Sequence, residues 1–350
     1  MTSLWALLKR FTTRHHRFIQ GCFLVTLLIF LGLTFYRNWQ EVAAIEITAQ
    51  GWACLGMALG MTILSYIWSG WVWGAILQDL NQPISLAWSI QVYLTTNLAQ
   101  YLPSNVLHLY GRVLAAMKVG VPMGLASLSM MLDALLMVAA GVIWGLLSIP
   151  EGAVLASLSA LSLILVLLHP RILIRLMWKF LPRTRQETGS KQPLRRYPLW
   201  PLVGEIIYLF WRGLGFTLTV AALTPVSWQF IPILISASSV AWLLGFVTPG
   251  LPGGVGVVEL TLITLLNNLP NLPPSLTMGV ILSSVALHRL VVISAETLGA
   301  GLALLDQRLI IQFSPLSLLT LGQQWLVSRN KRANSSGRKR PLMGKSSSRR

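Results

Sequence analysis

Long apolar runs separated by short polar segments make up most of this chain. Phe18–Tyr36, Gly51–Leu77, Met123–Ile149, Ala153–Leu168, Leu202–Leu223 and Leu276–Leu304 each read as a membrane-spanning helix, because about 20 mostly apolar residues cross a hydrocarbon core. Two further segments are apolar but interrupted. Ile84 to Lys118 is dotted with Thr95, Thr96, Asn97, Gln100, Asn105 and Arg112, and Pro103 breaks it near the middle. Phe230–Val247 runs into Thr248-Pro249-Gly250-Leu251-Pro252-Gly253-Gly254, followed by a short arm from Val255 to Leu266. Each reads as two arms meeting at a break, and irregular backbone at membrane depth is tolerated only where protein or water covers it. The expected fold class is all-α: a polytopic membrane helix bundle of about six full spans plus two re-entrant or broken hairpins.

Charge orients this pattern. Of 27 Lys and Arg residues, 22 fall in three blocks: Lys9 to Arg17, Arg171 to Arg196, and Arg308 to Arg350. Lys and Arg in short loops mark the cytoplasmic side, so both termini and the middle loop are expected in the cytoplasm of a cell (plasma) membrane protein. The crossings between consecutive blocks must then be even in number, which sends the first hairpin in from the cytoplasm and the second from outside. The halves match with opposite orientation, as an inverted-topology repeat would. In such repeats, interrupted segments at corresponding positions point to the transport site. The expected organisation is a basic N-terminus over 1–17, a membrane domain over 18–304 with its basic loop at 170–199, and a basic, largely disordered tail over 305–350. The Phe18–Tyr36 run is too long for a signal core and lacks a small-x-small cleavage site, so it reads as an uncleaved anchor.

Composition agrees: 54% hydrophobic residues, 11% charged and a mean hydropathy of +0.67 exclude a water-soluble domain. The net charge of +17 does not imply nucleic acid, since the cations flank apolar spans, as anionic lipid selects. Cys22 and Cys54 lie in apolar runs and read as small hydrophobic fillers. The five histidines show no ligand spacing, so neither a metal nor another cofactor is expected. The Gly250–Gly256 run lacks the preceding strand that a nucleotide-binding loop needs.

The chemistry is expected where charge enters the membrane. A charge at the bilayer centre costs about 2.5–3.5 kcal/mol on insertion scales, so it faces the interior and finds a partner. Glu205 and Arg212 are seven apart on one span, and so are Arg289 and Glu296, so each pair shares a helix face. Glu205, close to the cytoplasmic loop, reads as structural or interfacial. Arg289 and Glu296 are open to structural or functional roles. Asp133 lies mid-span and needs a cation from another helix, for which Arg112 is a candidate. Arg112 and Glu259 are the sharpest residues, each in the arm just after a break. Pro103, Pro249 and Pro252 keep those breaks open, and Asn105, Gly253 and Gly254 lie at the tips. Half-helix N-termini there would present free N–H groups to an anionic headgroup, and Arg112 would grip its phosphate through two parallel hydrogen bonds, with Glu259 balancing the charge or carrying a proton. The competing reading locks Arg112 permanently to Glu259 or Asp133. No catalytic constellation appears, so an enzyme is not expected.

The stretch Asn97-Leu98-Ala99-Gln100-Tyr101-Leu102-Pro103-Ser104-Asn105-Val106, then Gly111-Arg112 and Gly120-Val121-Pro122, resembles a signature of the lysylphosphatidylglycerol synthase transmembrane-region family. Pro252-Gly253-Gly254-Val255-Gly256-Val257-Val258-Glu259 resembles its second signature. Ser104 stands where Gly is common and Val258 where Arg is common, so a phosphate role beside Glu259 is in doubt. The resemblance implies a flippase-like domain of many helices. In multiple peptide resistance factors that domain precedes a cytosolic aminoacyl-transferase domain, and the tail here is expected to be too short for one. Stand-alone relatives are associated with hopanoids or glycosyl carrier lipids. The expected function is translocation of an anionic, aminoacylated or glycosylated lipid, with membrane lipids as partners and no nucleic acid. The alternatives are a membrane-embedded lipid-modifying enzyme, or a non-transporting partner of a glycosyltransferase.

Overall fold

The computed structural model describes residues 36, 39–43, 46–101, 107–146, 151–169, 171–172, 175, 197–248, 251–268 and 273–313. The Phe18–Tyr36 span (except Tyr36), Cys22, the tip residues Pro103, Asn105 and Pro249, most of the middle basic loop and the tail beyond Phe313 lie outside the described residues. The described elements are all helical: α1 (Trp39–Ala43), α2 (Ala49–Asp79), α3 (Leu86–Asn97), α4 (Leu107–Lys118), α5 (Met123–Gly145), α6 (Glu151–Leu167), α7 (Leu199–Ala221), α8 (Ile231–Val247), α9 (Val257–Asn267) and α10 (Met278–Phe313). Everything argued below lies in the unit Met1–Ala303. Of the second unit, Leu304–Arg350, only the helical residues to Phe313 are described, so helix continues into residues read as tail.

Local chemistry sets the helix starts. Thr48 caps α2, its hydroxyl accepting the Gly51 N–H at 3.1 Å, and Ser85 caps α3 by accepting the Trp88 N–H at 3.2 Å. The structure centres on α2 and α7, whose seam is lined by small residues. A Cβ added at Gly204 would sit 2.7 Å from Val72, and one at Gly215 would sit 2.7 Å from Thr62. The indole of Trp68 donates to the Gly204 carbonyl at 2.8 Å across the same seam. Small residues let backbones approach where lipid supplies no hydrophobic drive, and the close packing replaces it.

Both interrupted segments are broken helices. Helices α3 and α4 have 12 residues each, about 18 Å at 1.5 Å per residue, well short of a hydrocarbon core about 30 Å thick. A 3₁₀ turn, Leu98–Tyr101, follows α3. The two arms of the second segment are unequal. Trp228–Val247 is 20 residues of the highest mean hydropathy, 2.1, among the five described helices long and apolar enough to cross a membrane. Pro232 falls in the first turn of α8, where a missing N–H leaves no bond unmade, so it does not interrupt the run. Only α9, with 11 residues, is too short to cross alone.

Candidate functional site

The two breaks meet. The turn Leu98–Tyr101 packs against the turn Pro252–Gly254. Gly253, Gly254 and Gly256 have φ of 58°, 63° and 85°, left-handed values that cost other L-residues about 1–2 kcal/mol each. At Gly253 space is short as well, for an added Cβ would lie 2.8 Å from the Tyr101 ring. Gly253→Val is therefore expected to lose about 1–2 kcal/mol from backbone strain alone, with the clash adding to it. A lowered thermal unfolding midpoint of the detergent-solubilised protein checks this.

Beside the touching breaks lies a cavity of about 640 Å³, counted out to its mouth. Its wall includes three arginines, Arg112, Arg212 and Arg289, and one carboxylate, Glu296. Each guanidinium lies over a tyrosine ring: Arg112 is 3.5 Å from the Tyr93 centroid, Arg212 5.6 Å from Tyr66, and Arg289 5.7 Å from Tyr101. Stacking on an aromatic face suits the planar, weakly hydrated guanidinium in a site with little water.

Two hydrogen-bonded networks hold these groups. In the first, Arg112 donates to Asn97 Oδ1 at 3.1 Å and to Thr96 Oγ1 at 3.3 Å, and its Nη1 lies 3.9 Å from Asp133 Oδ2. Tyr93 beneath it is fixed by the Ser69 hydroxyl, which donates to its phenol oxygen at 2.7 Å. The mid-span Asp133 thus has a cation from another helix, and it is Arg112. In the second, Arg212 donates to the Tyr66 hydroxyl at 2.8 Å, and that hydroxyl donates to Glu296 Oε1 at 2.6 Å. Gln100 at 2.6 Å and Asn97 at 3.4 Å donate to the same oxygen. Asn97 therefore bridges the networks, its carbonyl held by Arg112 and its amide by Glu296.

Glu259 stands apart from Arg112. It pairs with Arg289 at 3.5 Å and accepts the Gly256 N–H, closing the N-terminus of α9. It lines a smaller cavity of about 410 Å³, shared with Arg212, His288 and Arg289. The expected pairing of Arg112 with Glu259 about one headgroup does not form in this arrangement. The reason is local: the positive end of α9 and Arg289 lie closer to Glu259 and take its charge. Arg289 also donates twice to the Gly253 carbonyl, both at 3.2 Å, so the Pro-Gly turn supplies an acceptor toward α10. Gly253 and Gly254 both line the main cavity.

Glu205 is fully buried: its exposure is 0%, and among the described residues no donor reaches either carboxylate oxygen. Its closest charged company is Asp133 and Arg112. No group of three or more His, Cys, Asp and Glu residues poised for a metal occurs among the described residues. Cys54 is a free, half-buried thiol on α2.

Tyr66, Tyr93, Tyr101 and Gln100 were not anticipated as site residues. A buried tyrosine must place its hydroxyl on a partner, which marks Tyr66 and Tyr93 as candidates within apolar runs. Their partners are far off in sequence, and no spacing rule finds them.

The family model described as the lysylphosphatidylglycerol synthase TM region matches residues 19–294. No curated protein matches the chain.

Proposed function

Because the chain belongs to the lysylphosphatidylglycerol synthase TM-region family, we propose that this multi-pass membrane protein translocates a lipid, carrying an anionic, aminoacylated or glycosylated headgroup between leaflets. The observation that carries the reading is the cavity at the meeting of two helix breaks, where three stacked arginines face one carboxylate within an apolar bundle. A cationic, aromatic-walled chamber suits a headgroup and leaves acyl chains to the surrounding lipid. Helices interrupted within apolar segments gather polar groups at a site that a headgroup could use. The matched region is the membrane part of its family and not a catalytic domain, which favours carriage over chemistry. In this reading both termini and the basic loop lie in the cytoplasm of the cell membrane, and the lipid is supplied by a separate lipid-synthesising enzyme or glycosyltransferase.

Reconstitution into liposomes with labelled lipids in one leaflet tests this. Anionic or aminoacylated phospholipid is expected to appear in the other leaflet several-fold faster than in empty liposomes. Equal rates for every lipid tried, with protein correctly folded, would reject the proposal.

A further inference from the structure

Asp133 on α5 and Glu205 on α7 are 1% and 0% exposed, and among the described residues no donor reaches any of their four oxygens. The two carboxyls lie close enough to interact with each other. One cation faces them, Arg112 on α4, and it stands nearer to Asp133, at 3.9 Å. The other titratable groups around the pair and its cation are the phenols of Tyr93 on α3 and Tyr208 on α7 and the buried imidazole of His108, beside Arg112 on α4. Helices α2, α6 and α8 carry no charged residue except Asp79 and Glu151 at helix ends.

Charge counting then becomes decisive. The three arginines of the cavity walls answer four carboxyls: Glu296 and Glu259, which line the cavities, and Asp133 and Glu205, which line neither but interact with Arg112. Glu259 is matched by Arg289, Glu296 by Arg212 through Tyr66, and Asp133 by Arg112. Glu205 is left over. Two adjoining carboxylates cannot both stay charged at low cost away from water, and a proton of their own is the donor that joins them directly. Arg112 holds the negative charge on Asp133, so that proton belongs on Glu205.

With one proton the site is neutral. An anionic headgroup would leave it one charge short. We propose that Asp133 and Glu205 form a proton site coupled to the headgroup cavity: arrival of a phosphodiester draws one proton from water onto Asp133, and the Arg112 guanidinium passes from the Asp133 carboxylate to a phosphate oxygen. Charge balances, for one anion and one proton arrive together, and the bond that changes is the Arg112 ion pair. The proton gradient would then drive or gate lipid movement. This coupling rests on the headgroup reading above, whereas the resting proton on Glu205 does not.

Two measurements separate them. The first needs no added lipid: in infrared difference spectra at neutral pH, Glu205→Gln should remove the carbonyl band of a protonated carboxylic acid. Persistence of that band in the variant, or its absence from the wild type, overturns the proton site. The second uses short-chain phosphatidylglycerol with the detergent-solubilised protein in weak buffer containing a pH dye, and phosphatidylcholine as control. About one proton should be taken up per phosphatidylglycerol bound, with affinity rising about tenfold per unit fall in pH. Asp133→Asn should bind with no proton uptake and no pH dependence, while Glu205→Gln, already mimicking its protonated form, should retain both. Binding without uptake in the wild type, or uptake surviving in Asp133→Asn, overturns the coupling alone. Absence of anionic-lipid binding at every pH overturns the headgroup reading and the coupling with it.

Discussion

Arg112→Ala is expected to abolish lipid translocation and to lower folding stability by about 3–5 kcal/mol, the range for stripping one partner from a buried ion pair. The guanidinium lies flat on Tyr93 and is tied to Asn97, Thr96 and Asp133, so its loss leaves Asp133 buried without a cation. Loss of activity alone would not separate function from collapse. The double variant Arg112→Met/Asp133→Asn makes that separation, since replacing both charges by groups of similar shape removes the need for pairing and often restores stability. It is expected to unfold near the wild-type temperature in detergent yet to move no lipid in proteoliposomes. Arg112→Lys keeps the charge but not the planar fork and should fall between. Wild-type translocation by the double variant would reduce Arg112 to a structural lock, the competing reading of this residue.

The contrast between Arg112 and Glu205 shows how far the sequence carries. Apolar runs were legible because membrane-spanning helices are written in composition, and the breaks were legible because Pro and Gly mark them in any apolar run. The partner that each buried charge meets was not. Glu205 and Arg212 do share a face of α7, but seven residues separate them by about 10 Å along the axis, enough to meet different helices. Glu205 meets Asp133 of α5, while Arg212 meets Tyr66 of α2. The role of Glu259 was partly legible: an acid three residues after a glycine that opens a helix is a capping signature, and Glu259 does accept the Gly256 N–H. What stayed out of reach was pairing across the chain. Tyr66 and Glu296 are 230 positions apart, and only the packed bundle brings them within a hydrogen bond.

That pair supports the other large effect. Glu296 Oε1 accepts from Tyr66, Gln100 and Asn97, and so joins α10 to α2, to α3 and to the turn at the first break. Through Tyr66 it also answers the charge of Arg212, which has no carboxylate within 4 Å among the described residues. Glu296→Ala removes the acceptor and the charge together. A stability loss of about 3–5 kcal/mol is expected, as for other buried charged clusters deprived of one member, and it should appear as a lowered unfolding midpoint in detergent. Glu296→Gln separates the two roles. Its amide oxygen can still accept, so the fold should hold to within about 1–2 kcal/mol, but Arg212 loses its counter-charge and the cavity becomes more positive. Anionic short-chain lipid should then bind several-fold more tightly while translocation slows, because a headgroup held more firmly leaves more slowly. Equal stability of the Ala and Gln variants would show that the three donors do not depend on Glu296. Unchanged lipid affinity in Glu296→Gln would show that the charge of this carboxylate does not reach the bound headgroup.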